Sequence, residues 1–307
     1  MISMLRRVLP YVLSIPQYVY ELKQIHSMTA LRNWLYFKFP NLFSLPPFPP
    51  YITIELTTLC NLNCRHCWRP YSLQKRGVGS MTASSFEKII EEINVSPHAP
   101  QVLKIGGAGE PALHHQFPEF MVALEPLMRR SVHTILYTNG ALLDRFSPQE
   151  IMQWNITRLV VSVDGIDQQS YEQIRVGGSY CRLRQQVRNF REHRARTSPQ
   201  KPWIEIRHVI MPGETLKHLL YFRRQWIAPG DTVKFQPVMD ISTRMRVGVN
   251  TSQAAKRTGR GIRRELPIEY DGNVPITDGT GRFAGNIASH TIEELWLRIA
   301  RRSSTLI

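Results

Sequence analysis

Tyr51-Ile-Thr-Ile-Glu-Leu-Thr-Thr58 is followed, after Leu59, by Cys60-Asn61-Leu62-Asn63-Cys64-Arg65-His66-Cys67. A strand-like run thus delivers the chain into a loop holding three of its four cysteines, spaced C-x3-C-x2-C. Three thiolates on one short loop can bind three irons of a 4Fe–4S cube and leave the fourth iron for something else, because such clusters normally take four cysteines. The alternatives are zinc, a disulfide and a chance group of buried thiols. Zinc with His66 as fourth donor is strained, since structural zinc draws its ligands from two separated pairs. A disulfide leaves one cysteine over, and nothing in the sequence indicates export. The cluster fits best.

Four segments then fall in a fixed order: the cysteine loop, Gly106-Gly-Ala-Gly-Glu-Pro111, Thr138-Asn139-Gly140 and Ser162-Val-Asp164-Gly165. Together they resemble the radical S-adenosylmethionine (SAM) enzymes, whose cysteine signature, glycine-rich "GGE" segment and later strand endings they match over about residues 50–240. The resemblance implies a partial (β/α)6 barrel of the TIM type. It also implies that reductive cleavage of SAM at the cluster yields a 5′-deoxyadenosyl radical that abstracts hydrogen from an unactivated C–H. By the same analogy Cys60, Cys64 and Cys67 are the metal ligands, and Gly107, Gly109 and Glu110, or the backbone beside Glu110, meet the methionine ammonium. Asn139, Ser162 and Asp164 are ribose contacts, Arg175 (in Tyr171-x3-Arg175-x-Gly177-Gly178) meets the SAM carboxylate, and His66 lies against adenine. A small-molecule or peptide substrate and an electron donor such as flavodoxin or ferredoxin complete the expected partners.

The periodicity independently alternates strand-like and helix-like segments, the pattern of βαβ units on a parallel sheet. Strands are expected near 52–58, 101–106, 132–137, 157–163, 203–210 and 232–236, with helices near 83–94, 117–130, 148–154, 168–175, 181–196 and 215–227. Each motif falls at the carboxyl end of such a strand, where α/β barrels gather working groups. On the fifth strand Ile204, Ile206, His208 and Ile210 share one face and Glu205 and Arg207 the other. A structural role is favoured for His208 and Arg207 over substrate contact. Cys181, alone in a helical stretch, reads as a small apolar residue.

Residues 1–50 read as an N-terminal helical segment ending in the proline-rich strap Phe43-Ser-Leu-Pro-Pro-Phe-Pro-Pro50. Its basic amphipathic character allows peripheral membrane contact, with packing on the barrel preferred. Residues 51–240 form the core domain and 241–307 a tail. Asp271-Gly-Asn-Val274, Gly285-Asn-Ile287 and Trp296 resemble the SPASM extension of many radical SAM enzymes. That extension normally carries cysteines for auxiliary clusters; here Arg263, Arg264 and Ile276 or Thr277 stand in their places, so no second cluster is expected. A hairpin is expected over Glu269–Val274 and a terminal helix capped by Thr291.

The chain has 307 residues, enough for a large core, and carries 39 Lys and Arg against 24 Asp and Glu, a net charge of +15. The excess is concentrated in Ile241–Arg264, which has no acid, and in Arg182–Lys201, whose only acid is Glu192. Such stretches attract polyanions. An RNA-modifying enzyme is therefore an alternative, although few aromatics lie among the arginines. A non-catalytic SAM-binding scaffold is a third reading. No signal peptide, no membrane-spanning run of about 18 apolar residues and no paired disulfide set are expected, which points to the cytoplasm.

Overall fold

The structure is a computed structural model that describes residues 46–197, 202–240, 245–246, 265–276 and 282–304. The expected N-terminal helical segment up to residue 45 and the basic stretch 241–264, apart from 245–246, lie outside the described residues. Seven strands form one sheet: β1 (Tyr51–Ile54), β2 (Val102–Ile105), β3 (His133–Thr138), β4 (Arg158–Ser162), β5 (Trp203–Ile210), β6 (Thr232–Pro237) and β7 (Glu265–Ile268). Their order is β7-β1-β2-β3-β4-β5-β6, and every adjacent pair is parallel. The chain crosses over between sequential parallel neighbours through its helices, and among the described residues the sheet does not close on itself. This is the open form of a partial barrel.

The two faces differ as the alternation requires. Ile52, Ile54, Leu103, Ile105, Leu136, Leu159, Val161, Ile204, Ile206, Phe235, Leu266 and Ile268 are buried against the helices. Tyr51, Thr53, Lys104, Tyr137, Arg158, Ser162, Arg207 and Lys234, of opposite parity, are half-buried on the other face. A sheet packed on both sides would read as continuous apolar runs; here one face is polar.

The helices are α1 (Arg69–Arg76), α2 (Ala83–Val95), α3 (Phe117–Val122), α4 (Glu125–Arg129), α5 (Pro148–Gln153), α6 (Gln168–Ile174), α7 (Tyr180–Thr197), α8 (Leu216–Trp226) and α9 (Ile292–Ser304). Capping sets several starts: Ser147 and Glu150 make a reciprocal capping box at α5, and Thr82 accepts from Ser85 N at α2. The single helix expected over 117–130 is two, because the chain breaks at Ala123–Leu124 and Pro126 begins a new one.

Part of the basic stretch on α7 is neutralised inside the molecule. Arg191 and Arg194 both meet the buried Asp231, each at 2.8 Å, and Arg182 pairs with Asp144. No helix of the described residues is long and apolar enough to cross a membrane.

The tail differs most from expectation. β7 is a seventh strand of the main sheet, paired with β1 from Tyr51↔Glu265 to Ile54↔Ile268. The expected hairpin at 269–274 is a turn, closed by Gly272 N to Glu269 O at 2.9 Å with Gly272 at φ 82°. Asn273–Pro275 (β8) then pairs antiparallel with Phe283–Asn286 (β9). Asn286 Nδ2 donates to Asp271 O and Asn273 Oδ1, and Trp296 Nε1 donates to Pro46 O at 2.8 Å, so α9 also holds the strap. Ile276 is buried in the core, while Arg263, Arg264 and Thr277 lie outside the described residues.

Candidate active site

The cysteine loop leaves β1 through Glu55–Leu59 and is tied down on three sides. Thr58 N donates to Gly79 O at 2.9 Å, Glu110 N donates to Leu59 O at 2.7 Å, and Asn63–Cys64 forms a short antiparallel ladder with Arg175–Val176. Within the loop, Cys67 N donates to Cys64 O at 3.1 Å. All four cysteines are free. Burial pushes the Cys60 thiol up, and lifts the Cys64 thiol to about 11 despite the opposing charge of Arg175. Such thiols ionise on binding a metal, which supplies the positive charge that burial removes from reach. No three His, Cys, Asp or Glu side chains of the described residues converge on one metal ion; corners of a cube stand wider apart.

The glycine-rich segment after β2 is locked against this loop by contacts only glycine permits. A Cβ on Gly109 would lie 2.3 Å from Thr57 O and 2.4 Å from Leu59 O, and one on Gly107 would lie 2.4 Å from Glu55 Oε2. The close approach is therefore to the protein's own backbone and to Glu55. Gly109→Ala, whose clash is with backbone carbonyls that no rotamer relieves, is expected to destabilise the chain by about 2–3 kcal/mol, read as a lowered denaturation midpoint.

Glu110 is buried, and its carboxylate is fully employed. Thr138 Oγ1 and Asn139 N donate to its two oxygens at 2.7 Å each, and Ala112 N donates at 3.4 Å. It fastens the glycine segment to the end of β3. Burial nevertheless pushes its carboxyl upward, against those donors. Asn139 in turn donates to Asn61 Oδ1 at 2.9 Å and towards Cys60 Sγ at 3.8 Å.

On the far side, Asp164 is wholly buried. Its Oδ1 accepts from Val209 N at 2.7 Å, and its Oδ2 faces Arg175 Nη2 at 2.6 Å and His66 Nε2 at 3.3 Å. Arg175 Nη1 points towards Cys64 Sγ at 3.9 Å. Burial alone would raise the Asp164 carboxyl; Arg175, His66 and the backbone donor together hold it below its usual range. Burial lowers His66, keeping the imidazole neutral. Two buried nitrogens here, His66 Nδ1 and Arg175 Nε, have no hydrogen-bond partner. Orphaned polar atoms at one place, a donor at Arg175 Nε and an acceptor at His66 Nδ1, mark where a polar ligand belongs. Ser162, the last residue of β4, lies half-buried two residues before Asp164.

The structure thus gathers Cys60, Cys64, Cys67, Gly107, Gly109, Glu110, Asn139, Asp164, Arg175 and His66 around one loop. His208 is a packed core residue: Nδ1 meets Val163 O at 3.1 Å, Nε2 meets Glu214 Oε2 at 2.9 Å, and the ring lies against Phe222 and Phe235. Arg207 is on the polar face, over the Tyr137 ring at 4.8 Å. Cys181 is exposed and donates to Gln168 Oε1. A cleft of about 450 Å³ opens on the outer side of the loop, lined by Cys64, Arg65, Cys67, Tyr71, Gln74 and Val176 among others.

The residues that sequence reading did not single out are Glu55, Arg76 and Glu269. Arg76 bridges Glu55 at 2.8 Å and Glu269 at 2.9 Å, while Glu55 Oε2 accepts from Ala108 N at 2.6 Å. The turn after β7 is thereby wired to the glycine segment. Burial lifts the Glu269 carboxyl to about 7, with Arg76 opposing and Glu55 reinforcing. A raised acid binds its proton more tightly folded than unfolded, so its contribution is present below the ordinary glutamate range and is lost as pH rises through about 7. Glu269→Gln is expected to raise the melting temperature at pH 8 by roughly 1–3 °C and to change nothing at pH 4, measured by calorimetry at both values.

The sequence profile of the radical SAM superfamily matches residues 54–225, more than half the chain, and this span holds all three clustered cysteines, the glycine-rich segment, Thr138–Gly140 and Ser162–Gly165. The chain belongs to the radical SAM superfamily. A probable GTP 3′,8-cyclase of Methanococcus aeolicus is 25% identical over 203 residues, covering 65% of this chain and 64% of that protein. The PqqA peptide cyclase of Granulibacter bethesdensis is 27% identical over 131 residues, 42% of this chain and 32% of that one. The chain therefore spans from about a third to just under two thirds of these radical SAM relatives. Streptococcus suis SuiB, solved with its precursor peptide SuiA, shares the fold at a TM-score of 0.59 and 15% identity, over 87% of this chain and 68% of that one. The cofactors that accompany membership are a 4Fe–4S cluster and SAM.

Proposed function

We propose that this chain is an enzyme that cleaves SAM reductively at a 4Fe–4S cluster held by Cys60, Cys64 and Cys67, and directs the reaction at a C–H bond of a peptide or small biosynthetic intermediate. The observation that carries it is the convergence of the cysteine loop, the glycine segment and the Asp164–Arg175–His66 group, with two orphaned buried nitrogens among them. The bound cofactors supply a 5′-deoxyadenosyl radical for hydrogen abstraction.

The chain's own residues hold the geometry. Arg175 presents a guanidinium whose Nε is unspent, suited to a carboxylate of SAM. Asp164 keeps that guanidinium in place and offsets its charge. His66, held neutral, offers Nδ1 and a ring face to a base. With the Glu110 carboxylate occupied, the backbone of 106–109 is the partner left for an ammonium. Asn139 and Ser162 line the polar face above which a ribose would sit. Residues 51–240 are the catalytic unit in this reading, and 241–307 a SPASM-like extension that contributes β7 to its sheet.

A peptide substrate is supported by the similarity to PqqA peptide cyclase. The outer cleft beside Cys64 and Cys67, with Arg65 on its rim, suits an acidic electron donor of the flavodoxin or ferredoxin kind. The RNA reading loses ground because Arg191 and Arg194 are spent on ion pairs with the buried Asp231. Anaerobic reconstitution with iron and sulfide, followed by chemical reduction with SAM, tests the proposal. It predicts 5′-deoxyadenosine and methionine in equal amounts; absence of both with several reductants, in protein carrying the cluster, refutes it.

A further inference from the structure

The outer surface formed by α8 and the adjoining edge of α7 is apolar and basic at once. Leu219, Phe222 and Trp226 turn the inner face of α8 into the core. On the opposite face Leu216, Leu220 and Tyr221 are 44%, 46% and 55% exposed, and Ile227, which ends the helix, is 43% exposed. Lys217 and Arg224 stand exposed among them. Helical spacing explains the grouping: Leu216, Leu220 and Arg224 recur at i, i+4 and i+8, and Lys217 and Tyr221, one residue on, run alongside. Residues 216–227 contain no Asp or Glu. On α7, Arg184, Arg188 and Arg191 recur at i, i+4 and i+7 and line a groove against Gln225 and Trp226. Arg184 donates to Gln225 Oε1 at 3.3 Å and Arg191 to Trp226 O at 2.7 Å, which aligns that edge with α8. Arg191 is matched by Asp231, whereas Arg188 is exposed.

Clustering and charge together define what covers this face. Eleven large apolar side chains of the described residues are exposed, and four of them fall within residues 216–227, so the excess is local. A contiguous apolar patch on a folded surface marks a protein or membrane contact. Three of the four are aliphatic and offer no ring for a base to stack on, which a nucleic-acid platform uses. The centre of a protein interface is depleted in lysine and in charge generally, and here Lys217 and Arg224 lie in the middle of the face. Aliphatic side chains interleaved with Lys and Arg, with no acid between them, suit the boundary of an anionic bilayer. There the branched ends enter the acyl edge while the cationic ends reach the phosphates.

We propose that the outer face of α8, with the α7 edge beside it, docks on the surface of an anionic lipid bilayer. Leu216, Leu220 and Ile227 lie at the headgroup boundary, and Lys217, Arg224 and Arg188 meet lipid phosphates. The attachment is peripheral, as no helix of the described residues is long and apolar enough to cross a membrane. It uses none of the residues assigned to the cluster or to SAM.

The test is co-sedimentation of the full-length protein with vesicles of phosphatidylcholine alone and of phosphatidylcholine containing phosphatidylglycerol, at low and high ionic strength. Binding to the anionic vesicles is expected, weakening as salt rises, with little to the neutral ones. Lys217→Gln combined with Arg224→Gln should weaken it by about twentyfold, from about fivefold per charge. Leu216→Gln combined with Leu220→Gln should weaken it by about tenfold at unchanged charge. All four positions are exposed, and a thermal melt checks that both double variants fold. Arg129→Gln, exposed on α4, should leave binding unchanged. No binding to anionic vesicles, unchanged binding in either double variant, or an equal loss in Arg129→Gln overturns the proposal. A dimer in sizing chromatography that the leucine variant separates assigns the face to a second copy. Retention of single-stranded RNA that the charge variant releases, without vesicle binding, assigns it to nucleic acid. Either result also overturns the proposal. The measurement needs neither cluster nor SAM, so its outcome is separate from that of SAM cleavage.

Discussion

Cys64→Ala is expected to leave a folded chain that no longer retains a cluster, with SAM cleavage at background. Two of three corner sulfurs cannot hold the cube in the same place, so the loss is one of chemistry. The fold should survive, because Cys64 is only partly buried and its removal deletes about one small apolar group, worth about 1 kcal/mol. Its thiol, lifted to about 11, is neutral without metal, so no buried charge is unmasked. Iron and sulfide content, the visible absorption band and 5′-deoxyadenosine yield are the measurements. A variant that keeps all three would remove Cys64 from the ligand set. Cys60→Ala and Cys67→Ala should behave alike.

Asp164→Ala is expected to act in the opposite way, through the fold first. Removing one partner of a buried pair leaves the other charge uncompensated and costs about 3–5 kcal/mol. Here the stranded group is Arg175, itself buried and reaching towards Cys64. The Val209 amide also loses its acceptor. A fall in melting temperature on the order of 10 °C at neutral pH should result. Asp164→Asn, which keeps the acceptor for Val209, should recover part of that fall while the Arg175 charge remains unmatched. The acid sets the sign of the pH dependence. Its carboxyl lies below the ordinary aspartate range, so its stabilisation is present at neutral pH and is lost on acidification.

Much of this site could be read from residue order. The cysteine spacing, the glycine segment and the polar strand endings are local patterns, and each lies at the end of an apolar run long enough to mark its strand. What escaped has physical reasons. Glu55 reads as one charge at the end of a strand, and its partners Arg76 and Glu269 lie 21 residues on and beyond the sixth strand. Only the closed sheet brings them together. α1 was missed because Arg69-Pro-Tyr-Ser-Leu-Gln-Lys-Arg76 has no apolar period and sits where a loop was expected. β7 was missed because four residues containing Pro267 make a poor strand by propensity; proline is tolerated there because β7 is the outermost strand and its missing donor costs no ladder bond. Glu110 lies beside the cysteine loop, but its carboxylate is taken by the protein's own donors, which only the positions of Thr138 and Asn139 reveal.

The pairing of β7 with β1 has a consequence for biogenesis. β1 leads directly into the metal loop, yet one of its two neighbours is synthesised after all six other strands. Until then the nascent sheet presents an open, unsatisfied edge beside the cysteines, a template for wrong association. Metal loading before β7 is in place would meet a half-built cradle, so assembly of the cofactor belongs after that strand has docked, and folding helpers that shield exposed strands should raise the yield of loaded protein.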